Sequence, residues 1–364
     1  MYLPLKPSVF LVIYSVFFGI GCEQKAPSHV ENNGVPIFFI NHHDVSQLSF
    51  EEIAEEVVSI QPEMTANSMI RHVADAILTD QYLYILDLNQ HHPVLQFDRK
   101  GNFIRHIGIT GEGPGEFGTI TSMAHDAALQ QLYFCDPFRK KVLVYSEEGD
   151  YLEEITGFES MPASIFRTGS KSWILEGNFV DRTDDGFIAD HFITLIGEDH
   201  EPLARKKHTI HLKNGLQLVY RNPNFIFQQD TVVYFFIPTL LPEVFRRDTL
   251  YQITEDHDLK PVAKFPFQEQ TDDTSDWVDF GIRDIQVTPT FFMIHYTYKK
   301  NTYLFLYNKD TEEGSTLREG FKHASFQDNQ MPISKSNGKS YFVNVGSASA
   351  NEEPNPTIHW VKWK

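Results

Sequence analysis

Leu83-Tyr84-Ile85-Leu86-Asp87 returns 49 residues later as Leu132-Tyr133-Phe134-Cys135-Asp136. Each copy is followed by a polar turn and a second strand-like run, Val94-Leu95-Gln96-Phe97 in one and Val142-Leu143-Val144-Tyr145 in the other. Each run then meets a charged turn ending in glycine, Arg99-Lys100-Gly101 and Glu147-Glu148-Gly149. A repeat of about fifty residues made of short strands points to a β-propeller, with one copy per blade.

The rest of the 364 residues fits that reading. Helical periodicity is scarce; only Gln47–Val58 suggests a short helical turn, with Ser49 placed as a cap before Glu51 and Glu52. Elsewhere the chain runs in four to eight β-branched or aromatic residues ended by Gly, Asn, Asp or Pro. Its 30 Phe and 15 Tyr suit sheets packed face to face. Six four-stranded antiparallel blades follow: Ser68–Ile107, Thr119–Thr156, Ala163–Leu212, Pro223–Phe267, Ile282–Leu317, and a sixth that contains Lys339–Val343 and ends with Thr357–Lys364. The sixth is one strand short. An unpaired sheet edge is a liability, and the strand-like Glu56-Val57-Val58-Ser59-Ile60 is available to close the ring. The expected fold is an all-β, six-bladed propeller closed by an N-terminal strand; the alternative is a three-stranded last blade with Glu56–Ile60 lying loose.

The N-terminus reads as a targeting segment. Met1–Lys6 carries one lysine, Val9–Ile20 is apolar and aromatic, and Gly21-Cys22 precedes the polar Glu23-Gln24-Lys25. That is the pattern of a secretory signal, and the apolar run falls short of the ~20 residues a membrane-spanning helix needs. Cysteine directly after a small residue resembles a bacterial lipoprotein signal cut before Cys22, with Gly19 where that motif usually has leucine. The alternative is an ordinary cleaved signal. On the lipoprotein reading 1–21 is signal, 22–44 a tether and 45–364 the propeller, with Cys22 lipidated. Cys135 is the other cysteine, so an acylated Cys22 leaves no disulfide and no cysteine-based metal site. Net charge is −18, one unit more negative once Lys6 is removed. With no basic stripe, nucleic acid and anionic membrane surfaces are poor partners, and membrane contact is expected through the anchor alone.

The link between the first two blades, Gly108-Ile109-Thr110-Gly111-Glu112-Gly113-Pro114-Gly115-Glu116-Phe117, is followed by a strand and then the Leu-Tyr-x-x-Asp copy. With Asp248–Ile253 and the Phe50–Pro62 lead-in, it resembles the six-bladed β-propeller lipoproteins of Gram-negative bacteria, relatives of NHL-repeat propellers. The likeness runs from about residue 45 to 364. It implies a six-bladed ring, a lipid anchor and a cell-envelope address at the outer membrane, and it carries no catalytic residues.

Chemical motifs give little else. Gly111–Gly115 imitates a phosphate loop, but Pro114 and the β-type Thr119-Ile120-Thr121 follow it in place of a helix. Gly338-Lys339-Ser340 imitates the end of a Walker loop, yet Ile333 stands where the earlier glycine belongs; Asn337-Gly338 suits a hairpin turn. The pairs His42-His43 and His91-His92 would point to opposite faces on a strand; His42-His43 falls in the tether, and His91-His92 falls in a turn, where a metal role stays open as the lesser alternative. Asp181–Gly186 lacks the ligand spacing of a calcium loop. No G-x-S-x-G occurs. No metal and no cofactor are expected.

Topology offers one inference. Turns between the first and second strands of each blade share one face of the ring, and those between the second and third share the other. The latter are the long ones: Phe179–Asp190, Pro238–Asp248 and Gly346–Pro356. Long loops on a rigid scaffold commonly carry binding. That face would hold His91, His92, Phe138, Arg139, Lys140, Arg182, Arg246, Arg247, Tyr298 and Lys299. Arginine and aromatic groups there would suit a glycan, a peptide or an envelope protein; the plain alternative is ordinary exposed loops. The expected function is a monomeric binding or scaffold module, and the competing class is a propeller hydrolase or lyase acting on an envelope glycan or peptide.

Overall fold

The computed structural model describes residues 29–32, 34–42, 45–87, 92–169, 171–177, 180–184, 186–212, 225–238, 247–268, 280–324, 326, 328–345 and 354–364. The signal segment, Cys22, His43, His91 and Arg246 lie outside the described residues, as do parts of all three long loops.

Six antiparallel sheets form a six-bladed ring. Blade one runs Asp75–Leu78, Tyr82–Leu86, Val94–Asp98 and Phe103–Ile107 from axis to rim, and blade two runs Ser122–Asp126, Gln131–Asp136, Lys141–Ser146 and Tyr151–Ile155. Met161–Thr168, Ile226–Gln229, Phe280–Val287 and Ile333–Lys335 are the inner strands of blades three to six. Alternate residues of each strand serve opposite blade interfaces. Leu83 and Ile85 join the cluster shared with blade six, whereas Tyr84 and Leu86 join the one shared with blade two. Each interface buries one such apolar cluster among the described residues.

The ring closes as the missing strand required. Ala54–Ile60 pairs antiparallel with Thr357–Trp363, with Ile358 opposite Ile60 and Trp360 opposite Val58. This limits the expected helical turn at Gln47–Val58 to the single 3-10 turn Phe50–Glu52, because Ala54 onward is committed to the sheet.

The described part of 22–44 makes more contacts than a free tether would. Val35–Phe38 lies beside Leu259–Lys264 of blade four, Ile40 bridges Phe267, and Val45–Ser46 lies beside Glu313–Arg318 of blade five. Phe38 and Ile40 are buried in the blade four–five cluster. Residues 35–42 and 45–60 thus strap blades four, five and six along the rim.

In blade three the expected long loop is partly strand. Asp181–Thr183 pairs with the start of the eleven-residue Gly186–Ile196, with Arg182 opposite Phe187. The glycine-rich link is a tight turn: Gly111 N–H donates to the Phe117 carbonyl at 3.1 Å and Phe117 N–H to the Ile109 carbonyl at 3.2 Å. Gly108 has φ +66°, and a Cβ there would strike the buried Phe117 ring.

Candidate functional site

The aspartate that ends each repeat copy fixes the link entering its blade. Asp87 Oδ2 accepts from Arg71 N–H at 2.6 Å, and Asp136 Oδ2 from Gly118 N–H at 2.7 Å. Glu176 does the same in blade three, accepting from Ser160 N–H at 3.2 Å. These buried carboxylates set the inner strands that wall the central channel.

On those strands ionic side chains are committed to each other, largely across blades. Arg167 of blade three donates to Asp126 of blade two at 2.5 Å, and its guanidinium lies 4.6 Å over the Tyr133 ring. Lys335 of blade six pairs with Asp75 of blade one. Within blade two, His125 pairs with Glu147. Gln286 of blade five accepts from Ser340 Oγ of blade six at 2.7 Å. Low dielectric strengthens such contacts, which fix neighbouring blades around the axis.

Between these pairs opens a pocket of about 520 Å³, lined by residues of blades one, two, three, four and six. Its rim carries the short turns Thr79-Asp80-Gln81, Ala127 to Gln130, and Ser336-Asn337; its floor includes Met123, Ile165, Phe166 and Ile226. The blade-six turn reaches past blade five to blade four. Asn337 N–H donates to the Gln228 carbonyl at 2.6 Å, and Gln228 N–H to Ser336 Oγ at 3.1 Å. Asn337 and Gly338 both have positive φ, 56° and 60°, as the two-residue hairpin turn requires.

One inner-strand carboxyl stands apart. Burial pushes Asp284 of blade five up to about 6, opposed by hydrogen bonds from Ser334 and the Ile285 amide and by the charge of Lys335. Asp284 is not among the residues lining the pocket. Burial, with Arg247 close by, holds His191 down at about 3 and His208 at about 4; burial, with Arg283 close by, holds His295 at about 4. These imidazoles are neutral at pH 7. Among the described residues no group of three or more His, Cys, Asp or Glu is arranged to hold a metal ion.

The long-loop residues fall into separate local contacts. His92 stacks on His106 at 4.8 Å. Arg139 lies 3.9 Å from Asp136 and donates to the Glu116 carbonyl at 3.3 Å, so it braces the glycine-rich link. Lys140 Nζ donates to the Glu159 carbonyl at 2.7 Å. Arg247 donates to the Pro238 carbonyl at 2.7 Å. Lys299 lies over the Tyr298 ring, which packs at a tilt of 39° against His42 of the strap, with ring centroids 4.1 Å apart. Phe138 and Arg182 are exposed. Sequence reasoning passed over Gln81, Gln130, Gln228 and Asn337, because they sit in or beside turns too short to suggest a site.

A family model matches residues 36–359, which spans the strap and all six blades. The chain belongs to the family described as Domain of unknown function (DUF4934). No curated protein matches this DUF4934 chain. Among solved structures, a Bacteroides fragilis protein named for its inferred export is similar at 16% identity and TM-score 0.60, covering 88% of this chain and 98% of its own. A duf4221-family member from Bacteroides vulgatus is 9% identical at TM-score 0.46, covering 86% and 97%. The WD40 repeats of RRP9 are 10% identical at TM-score 0.46, covering 85% and 100%. Likeness at these identities concerns the fold alone. No helix of the DUF4934 chain, among the described residues, is long and apolar enough to cross a membrane.

Proposed function

We propose that this chain is an exported, lipid-anchored propeller of the cell envelope that binds a ligand at the short-turn mouth of its channel and does not turn it over. The observation that carries this is the pocket of about 520 Å³ whose arginine, imidazole and inner lysine are already engaged by Asp126, Glu147 and Asp75. Charged groups held in mutual pairs are fixed in place, so the pocket offers a ligand a preorganised wall. The Gly21-Cys22 junction supports the anchor, the inferred export named for the Bacteroides fragilis neighbour supports the address, and the glycine-rich link supports kinship with NHL-like lipoproteins.

One observation favours the competing enzyme. A carboxyl raised to about 6 on an inner strand, as Asp284 is, is a common mark of general acid–base chemistry. The two readings separate in one experiment. The full chain is incubated with envelope glycans and peptides, and both bound and cleaved material are measured. Saturable binding without product, unchanged in Asp284→Asn, is expected. Turnover that disappears in Asp284→Asn overturns the binding reading. For the anchor, Cys22→Ala should move the protein from the detergent phase to the aqueous phase, because multiple acyl chains hold a membrane firmly; unchanged partition contradicts it.

A further inference from the structure

We infer that the pocket at the short-turn mouth takes a neutral saccharide of about two to three rings. The inference rests on the binding reading above and names its ligand class.

Charge comes first. The chain carries −18 overall, yet the pocket is close to balanced. Arg167 and Lys335 are matched by Asp126 and Asp75, and His125 pairs with Glu147. The charged lining residues left, Asp80 and Lys339, have opposite signs. An ionic ligand would have to compete with pairs already formed, and each displaced partner would be left half-buried and uncompensated. A neutral ligand disturbs none of them.

Hydrogen bonding comes next. The side-chain amides of Gln81, Gln130 and Asn337 line the pocket, and among the described residues they make no hydrogen bond to the protein. An amide presents a donor and an acceptor side by side. That matches vicinal hydroxyls, which give and take hydrogen bonds in the same way. Beneath them lie Ile165, the half-buried ring of Phe166, and Ile226, with Trp360 at the side. A pyranose has this same division, with hydroxyls at its edge and C–H groups on its face, and aromatic surface accepts such a face.

Peptide fits less well. Extended peptides commonly bind by adding a strand to an open sheet edge. Of the inner strands that line the pocket, Asp75–Leu78, Ile226–Gln229 and Ile333–Lys335 have four residues or fewer, Ser122–Asp126 has five and Met161–Thr168 eight, and the Asn337–Gln228 bridge lies across one side.

The test is calorimetry on the full chain with neutral glucose-, mannose- and xylose-based oligosaccharides, alongside uronic-acid oligomers and peptides. At least one neutral saccharide should bind, with affinity changing less than about twofold between low and high salt, since screening acts on charge. Asn337→Gly and Gln130→Gly keep the left-handed backbone and remove the amide. Each, like Gln81→Ala, should weaken binding by about tenfold, while Lys260→Ala on the blade-four rim should not. Unchanged melting temperatures identify variants that fold, and three separate positions keep the test open if one does not. Absence of binding by every neutral saccharide, or unaltered affinity in all three amide variants, overturns the inference. Preferred binding of a peptide or uronic-acid oligomer without turnover also overturns it and leaves the binding reading standing; turnover sinks that reading itself.

Discussion

Asp87, Asp136 and Glu176 do one job in three blades, each receiving a backbone N–H from the preceding link. The first two were legible because they end matching runs. Glu176 was not, because the acid is longer and Trp173 stands where the other copies have tyrosine. Asp136→Ala would leave Gly118 N–H unsatisfied and free Arg139 from its carboxylate. It should cost roughly 1–3 kcal/mol, read as a lower urea midpoint; an unchanged midpoint would contradict the role. The buried histidines make a pH prediction. Their folded pKa values, about 3 for His191 and about 4 for His208 and His295, lie below the ordinary 6.5. Neutral imidazole therefore contributes stability that is present above pH 6.5 and lost as pH falls toward the folded values. The melting temperature should drop on the acid side, and His191→Gln should make that drop shallower. Asp284 has the opposite sign. Its folded value of about 6 favours the neutral acid, so the charged form strains the fold above pH 6. Asp284→Asn should raise the melting temperature at pH 7.5, with the gain fading as pH falls toward 4; a loss at pH 7.5 would show that its charge is needed.

At the level of elements, the closing strand was legible from an arithmetic of strands, since the last blade lacked one and Glu56–Ile60 was unclaimed. The strap ahead of it was not. Val35–Phe38 and Val45–Ser46 are too short to show a period-two pattern, and their pairing partners lie more than two hundred residues away. Their contribution is tertiary: Ile40 is 0% exposed, and Phe38 packs 5.5 Å from Phe265 and 4.5 Å from Tyr307. Removing 29–46 should therefore cost several kcal/mol, since burying one large apolar side chain is worth about 1.5–3 kcal/mol. Scanning calorimetry that found the melting temperature unaltered would restore the free tether. Val58→Asp should also destabilise, because half-buried Val58 pairs with Trp360 and packs on the blade six–one cluster.

For the whole molecule, two clear repeat copies sufficed to read six blades, because strand length, turn residues and aromatic content persist where the repeat itself fades. The pocket could not be read that way. Lys335 and Asp75 pair across 260 positions, and the rim is assembled from turns of two to four residues. Loop length directed attention to the opposite face, where Arg139, Lys140 and Arg247 serve local contacts. A ring that builds its site from five blades also couples binding to closure, so ligand should raise the melting temperature of the full chain. The most direct test of the account is hydrogen exchange of the full chain with and without its bound saccharide. Protection is predicted at 76–81, 226–228 and 335–339, around the short-turn mouth. Protection confined to 137–140, 182–184 and 298–300, on the long-loop face, would contradict it.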